Sequence, residues 1–260
     1  MWFADDLGSS FYVSAFATLF IIAMFKGAFG GGFALIGVPV LSIFISPVRA
    51  ATIIAPLVCL MDLFALMAYP PRTWNRSQLK ILIPGAFIGM AFGAVLLGRA
   101  PEVLVGLVVG AIAVAFSLQW LAARFFGMRS DLADSVPRRR SGLVWGAISG
   151  FTSLLAHAGG PPLSVYLLRQ RLPKTELAGT QTVFFMIGNY MKLVPYLLLG
   201  QTDSATWKAV VLISPAVPLG VAFGRFLHGR LDQQRIYLGC YLLTLSAGAH
   251  MLFKGLLQIL

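Results

Sequence analysis

His157-Ala-Gly-Gly-Pro-Pro-Leu-Ser-Val-Tyr-Leu-Leu168 sets two glycines, two prolines and an imidazole inside an otherwise strongly apolar segment. Whether that segment crosses a membrane or turns back within it decides the topology of the whole chain. A helical hairpin can turn at membrane depth only where its freed backbone groups are buried in protein or line a cavity. Gly159 and Gly160 suit a tight turn without side chains, and Pro161 suits the first turn of a new helix, where its missing N–H is no loss. The reading is therefore a re-entrant hairpin whose second arm points its N-terminal, partly positive end at the membrane centre, a place for an anion.

The rest of the chain is consistent with a bilayer around that hairpin. Of 260 residues, 58% are hydrophobic and 11% charged, which excludes an ordinary soluble globular domain. Apolar segments at 10–46, 50–69, 79–98, 102–123, 142–168, 175–199, 205–224 and 235–257 follow one another with short polar breaks. A hydrocarbon core of roughly 30 Å needs about 20 helical residues, so each is long enough. The one sizeable linker, 127–140, is polar and ends in Arg138-Arg139-Arg140. Asp5 and Asp6, with no Lys or Arg before Lys26, are the reverse of a signal peptide's basic start, so no cleavage is expected. Cys59 and Cys240 fall in apolar segments and read as packing residues.

The two halves repeat. Pro84-Gly-Ala-Phe-Ile-Gly-Met-Ala-Phe-Gly-Ala-Val-Leu-Leu-Gly-Arg99 aligns without a gap on Pro215-Ala-Val-Pro-Leu-Gly-Val-Ala-Phe-Gly-Arg-Phe-Leu-His-Gly-Arg230, about half of the positions being identical. Pro39–Phe44 pairs with Pro161–Tyr166, Tyr69 with Tyr196 and Trp74 with Trp207. Such duplications build many secondary transporters. Charge then orients the halves. If every segment crosses, the cations divide almost evenly between the two sides. If 142–168 returns to the side it came from, Arg49, Arg99, Lys208 and Lys254 lie outside and the other loop and helix-end cations lie inside, as cytoplasmic loops require. The count leaves open whether 10–46 is a hairpin too; repeat symmetry makes it one. The expected fold is an all-α integral membrane protein of two inverted repeats, each a re-entrant broken-helix hairpin plus three transmembrane helices. The first repeat is 1–126, a cytoplasmic linker spans 127–140, and the second repeat is 141–260.

The first half has its own candidate tip at Gly27-Ala-Phe-Gly-Gly-Gly32, followed by a short helix from Phe33 to about Ile45. Two tips meeting at the midplane would make a site open alternately to either face. Ionisable residues in apolar segments are costly and are candidates for function. Lys26 precedes the first tip. Lys192 lies three residues after Asn189, on the same helical face, and Asp62 holds the repeat-equivalent place of Asn189. Two cations against one carboxylate favour an anionic substrate. The substrate-binding candidates are Gly30, Gly31, Gly32, His157, Gly159, Gly160, Gln181, Asn189, Lys192 and Lys26. Asp62 is the expected internal partner of Lys192 and a group that could couple transport to protons. No cofactor is expected. Nor is a metal, since His157, His228 and His250 are scattered without carboxylates.

With "KGAFGGGFALIGVPVLSIF" at 26–44, "HAGGPPLSVYLL" at 157–168 and "GTQTVFFMIGNYMKLVPYLLLGQ" at 179–201, together with Trp74 and Trp207, the chain resembles the TauE/SafE sulfite exporter family of bacterial inner-membrane proteins. The resemblance covers nearly the whole chain. It implies movement of sulfite, organosulfonates and related small anions across the inner membrane by a multi-pass transporter that is not an enzyme. The second tip departs from the first in having Pro161 where a third glycine would stand. The expected partners are a small anion and the lipid bilayer, with a homodimer as an open arrangement and no nucleic acid; the net charge of +11 reads as orientation and lipid contact. An anion channel of the same fold is the main alternative. An intramembrane hydrolase using Ser153 and His157, one helical turn apart, is a weaker one.

Overall fold

The structure is a computed structural model that describes residues 7–29, 34–125, 139–199, 203–227 and 233–258. The Gly30-Gly31-Gly32 tip, linker residues 127–138 and the His228-Gly229-Arg230 end of the second long repeat lie outside the described residues. Among the described residues all regular structure is helical. The helices are α1 (Ser9–Phe29), α2 (Gly37–Leu41), α3 (Pro47–Ala68), α4 (Arg76–Arg99), α5 (Glu102–Phe125), α6 (Arg139–Ala156), α7 (Gly160–Arg169), α8 (Lys174–Leu199), α9 (Ser204–Ile213), α10 (Ala216–Leu227) and α11 (Gln233–Leu257). Single 3-10 turns at Ala34–Ile36 and Pro71–Thr73 precede α2 and α4.

Among the described residues five stretches are long and apolar enough to span a bilayer: Ser9–Gly27, Pro47–Met67, Arg76–Arg99, Glu102–Phe125 and Ser204–Phe226. This is an all-α, multi-pass membrane protein. Helix α8 has 26 residues, a length of about 39 Å, and it carries the polar groups of the site along its face. The apolar segments expected from sequence match the helices closely, with two differences in detail. Segment 205–224 is broken into α9 and α10 at Ser214-Pro215, whereas α4 runs unbroken through Pro84. The short helix expected from Phe33 to Ile45 is only the 3-10 turn plus the five residues of α2, because Ser42–Ile45 continue as turns.

Helix starts follow local chemistry. Ser46 caps α3, its hydroxyl facing the Arg49 N–H, with Pro47 at the first helical position. Asn75 caps α4 by accepting from the Gln78 N–H at 3.0 Å, and Asp203 caps α9 by accepting from the Thr206 N–H at 2.8 Å. The Thr206 hydroxyl and amide, with Arg49 beside them, hold the Asp203 carboxyl below the usual carboxylate range.

Packing exchanges elements between the halves. Helix α4 of the first half lies along α6 of the second, and α10 of the second lies along α1 of the first. Glycine backbones make both approaches possible. A Cβ on Gly89 would lie 1.9 Å from the Ala147 carbonyl oxygen, and one on Gly150 2.2 Å from that of Ala86. Across the other seam, a Cβ on Gly27 would lie 2.4 Å from the Val221 oxygen and one on Gly220 2.6 Å from that of Phe20. No side chain fits there, and close backbone contact of this kind drives helix association in lipid. The repeat-equivalent pairs α3 with α8, and α5 with α11, pack against each other directly. Helix α3 is the most buried of the candidate spans. It meets α8 and the α6–α7 hairpin at the polar site.

Candidate functional site

Helix α6 ends at Ala156, and the chain reverses through residues 157–159 into α7. In this turn His157 takes the left-handed backbone conformation, with φ 51°, and Gly159 does not. Glycine usually fills such a place after a helix; histidine tolerates it at some cost. The glycines serve other ends. A Cβ on Gly159 would lie 2.8 Å from that of Ser153, so Gly159 lets the hairpin close on α6. Ser149 Oγ donates to the Gly159 carbonyl at 2.8 Å and Thr152 Oγ1 to that of Ala158 at 3.1 Å, satisfying the buried turn. Since Pro161 and Pro162 carry no N–H, the amides of Gly159 and Gly160 are the donors this tip can offer a ligand. Only Gly160 of the two lines the cavity in front of it.

That cavity has a volume of about 30 Å³, room for about two water molecules. Its polar wall is Lys26, Ser153, His157, Asn189 and Lys192; Ile22, Val58, Met61 and Phe185 form the apolar wall. Five elements meet here: α1, the 3-10 turn at Ala34–Ile36, α3, α8 and the α6–α7 hairpin.

Two charge groups share the cavity. In the first, Lys26 Nζ donates to Asp62 Oδ1, and Asn189 Nδ2 donates to Asp62 Oδ2 at 2.5 Å. Asp62 is fully buried, and both of its oxygens are paired, as a buried carboxyl requires. In the second, Lys192 Nζ lies 3.2 Å from the Ser153 carbonyl oxygen, 3.1 Å from Ser153 Oγ and 2.9 Å from His157 Nδ1. Three N–H donors thus face three acceptors, all neutral. With Nδ1 accepting, the imidazole carries its hydrogen on Nε2, which donates to the Ala51 carbonyl at 3.2 Å. Tyr196 stacks on that ring with centroids 6.0 Å apart and donates its own hydroxyl to the Leu154 carbonyl.

The expected pairing of Lys192 with Asp62 is therefore not made. Lys26 and Asn189 occupy both carboxylate oxygens, and among the described residues no carboxylate pairs with Lys192. The Ser153–His157 pair that the hydrolase alternative needs is not made either, since both ring nitrogens are engaged by Lys192 and Ala51. Of the sequence candidates, Lys26, His157, Gly160, Asn189 and Lys192 come together around the cavity, with Asp62 directly behind. Gln181 does not join them; its Nε2 donates to Ser164 Oγ at 3.2 Å and ties α8 to α7. Gly30, Gly31 and Gly32 lie outside the described residues. Sequence reasoning missed Ser153 as an acceptor for Lys192, although its place one turn before His157 was the available signal. It had no signal at all for the Ala51 carbonyl. Cys59 is buried, as its apolar segment implied.

Neither the curated proteins nor the solved structures contain a match to this chain. A family model does match, over residues 15–251, and it takes in both seams, the hairpin and every residue of the cavity. The chain belongs to the sulfite exporter TauE/SafE family, a family of membrane transporters.

Proposed function

We propose that this protein carries small anions such as sulfite or organosulfonates across a bacterial inner membrane, holding the substrate at the cavity in front of the α6–α7 turn. One observation carries the reading. Lys192 is 1% exposed, and its partners are neutral acceptors. A buried ammonium without a counter-charge is costly, and an anionic ligand in the adjoining cavity supplies that counter-charge. Gly160, at the start of the ten-residue helix α7, adds an amide and the positive end of a helix dipole.

The exchange of α1 and α6 between the halves, with α3 against α8 and α5 against α11, supports two related repeats, 1–126 and 141–260. The charge distribution in the sequence supports their inversion, with 127–140 on the cytoplasmic side. A cavity with room for about two waters favours a carrier over an open channel. Asp62 is the group in the site that can exchange a proton with the transport cycle. The test is thermal stabilisation of the purified protein by sulfite and short sulfonates, in wild type and Lys192→Met. Stabilisation that disappears in the variant supports the reading. Equal stabilisation of both proteins removes Lys192 from the site.

A further inference from the structure

We infer that the site is balanced for one negative charge: a doubly charged oxyanion binds with one more proton than a singly charged one, and Asp62 takes up that extra proton. The inference rests on the anion-site reading and adds the charge state of what the site accepts.

Asp62 receives Lys26 from α1 and Asn189 from α8, which leaves that cluster neutral. Lys192, also from α8, contributes one positive charge, and the three acceptors around it contribute none. The imidazole of His157 is neutral because one ring nitrogen accepts while the other donates. Tyr196 keeps its proton, donating it to Leu154, and Cys59 is a buried thiol on the same helix as Asp62. The other elements packed on α3 bring no charge to the cavity. Helix α2 has none, and Glu102, Arg124, Arg139, Arg140, Lys208 and Arg225 are absent from its lining. Arg49, at the start of α3, faces Asp203. With Lys192 as its ammonium the site therefore carries, among the described residues, one uncompensated positive charge.

An anion with one negative charge brings that total to zero. One with two leaves a net negative charge in a buried space, where uncompensated charge is strongly unfavourable. A proton from water added to an Asp62 oxygen converts the carboxylate to a carboxylic acid and frees the charge of Lys26. Lys26 and Lys192 both line the cavity, so a dianion then meets two cations. For a diprotic oxyanion such as sulfite, the proton can ride on the substrate with the same total.

Methanesulfonate and sulfate make the test, because they have nearly the same shape and differ by one charge. Binding of each to the purified full-length protein is followed by calorimetry between about pH 6 and pH 8, in two buffers of different ionisation enthalpy. Any proton that Lys192 takes up on meeting an anion is common to both ligands, so methanesulfonate sets the baseline. Sulfate should take up one proton per anion more than methanesulfonate, and its affinity should fall about tenfold per pH unit more steeply as pH rises, the slope for one further linked proton. In Asp62→Asn this excess for sulfate should vanish, and the wild-type difference stands alone if that variant does not fold. Equal proton uptake for the two anions overturns the inference and leaves the anion site standing. Sulfate failing to bind at any pH while methanesulfonate binds overturns the role of Asp62. Silence from both removes the anion site itself.

Discussion

The two glycine-rich regions that the sequence aligns as equivalents are built differently. In the second half an eighteen-residue α6 ends in a left-handed histidine and restarts as the ten-residue α7. In the first, α1 runs on to Phe29, and the described chain resumes in a 3-10 turn and the five residues of α2. Gly27, expected at the tip, instead packs inside α1 against Val221. The chemistry divides in the same way. The second half supplies Lys192, its acceptors and Asn189, whereas the first supplies the self-neutralising pair of Lys26 and Asp62. On the proposed reading, a duplicated scaffold keeps its packing and assigns binding to one copy and charge compensation to the other.

The seams are the part the halves share, so they should fail alike. Gly150→Val and Gly27→Val each drive a side chain into a carbonyl of the facing helix. Each should abolish the folded, monodisperse protein, read as loss of the main peak in size-exclusion chromatography. Overpacking typically costs about 1–3 kcal/mol and more where, as here, the obstacle is backbone. If one variant folds normally, its seam is looser than its partner and the packing symmetry is broken.

Binding is where the halves should differ. Lys192→Met should weaken anion affinity by about 2–3 kcal/mol, the scale of a charge-assisted hydrogen bond, or roughly thirty- to more than a hundredfold by calorimetry. An unchanged dissociation constant would return the anion to the first half.

His157→Gly separates the turn from the site. Glycine adopts a φ of 51° freely, so the hairpin should keep its thermal stability to within about 1 kcal/mol. Lys192 loses one of its three acceptors, and anion affinity should change by about 1–2 kcal/mol. Unaltered affinity would mean that the imidazole only shapes the turn.

The smallest effects lie at the helix starts. Arg49 is the third residue of α3 and meets Asp203, the cap of α9; Glu176 is the third residue of α8 and meets Asn75, the cap of α4. The contacts correspond, but one is an ion pair and the other a neutral amide on a carboxylate. Asp203→Ala and Asn75→Ala should each cost about 1 kcal/mol in thermal unfolding. Added salt should lessen only the Asp203 loss, because an exposed ion pair is screened.

Much of this architecture is legible in the order of residues. Apolar runs of span length, interrupted by polar turns, dictate helices across a bilayer because backbone groups there must be satisfied internally. The shared Pro84 and Pro215 frames reveal the duplication, and a knot of glycine and proline at 157–162 marks the break between α6 and α7. Spacing on one helix also set Asn189 and Lys192 on a common face, and both line the cavity. What tertiary structure decided is which partners the buried charges take. Lys26 reaches Asp62 across 36 positions and Asn189 reaches it across 127, while His157 finds the Ala51 carbonyl 106 residues away. Helical periodicity says which face a residue occupies but not which helix that face meets. That choice follows from the glycine seams, which seat α4 on α6 and α1 on α10 and so bring α3 and α8 together at the cavity. The left-handed residue was decided there too: the turn falls at His157, and Gly159 is needed two residues later, where Ser153 leaves no room for a side chain.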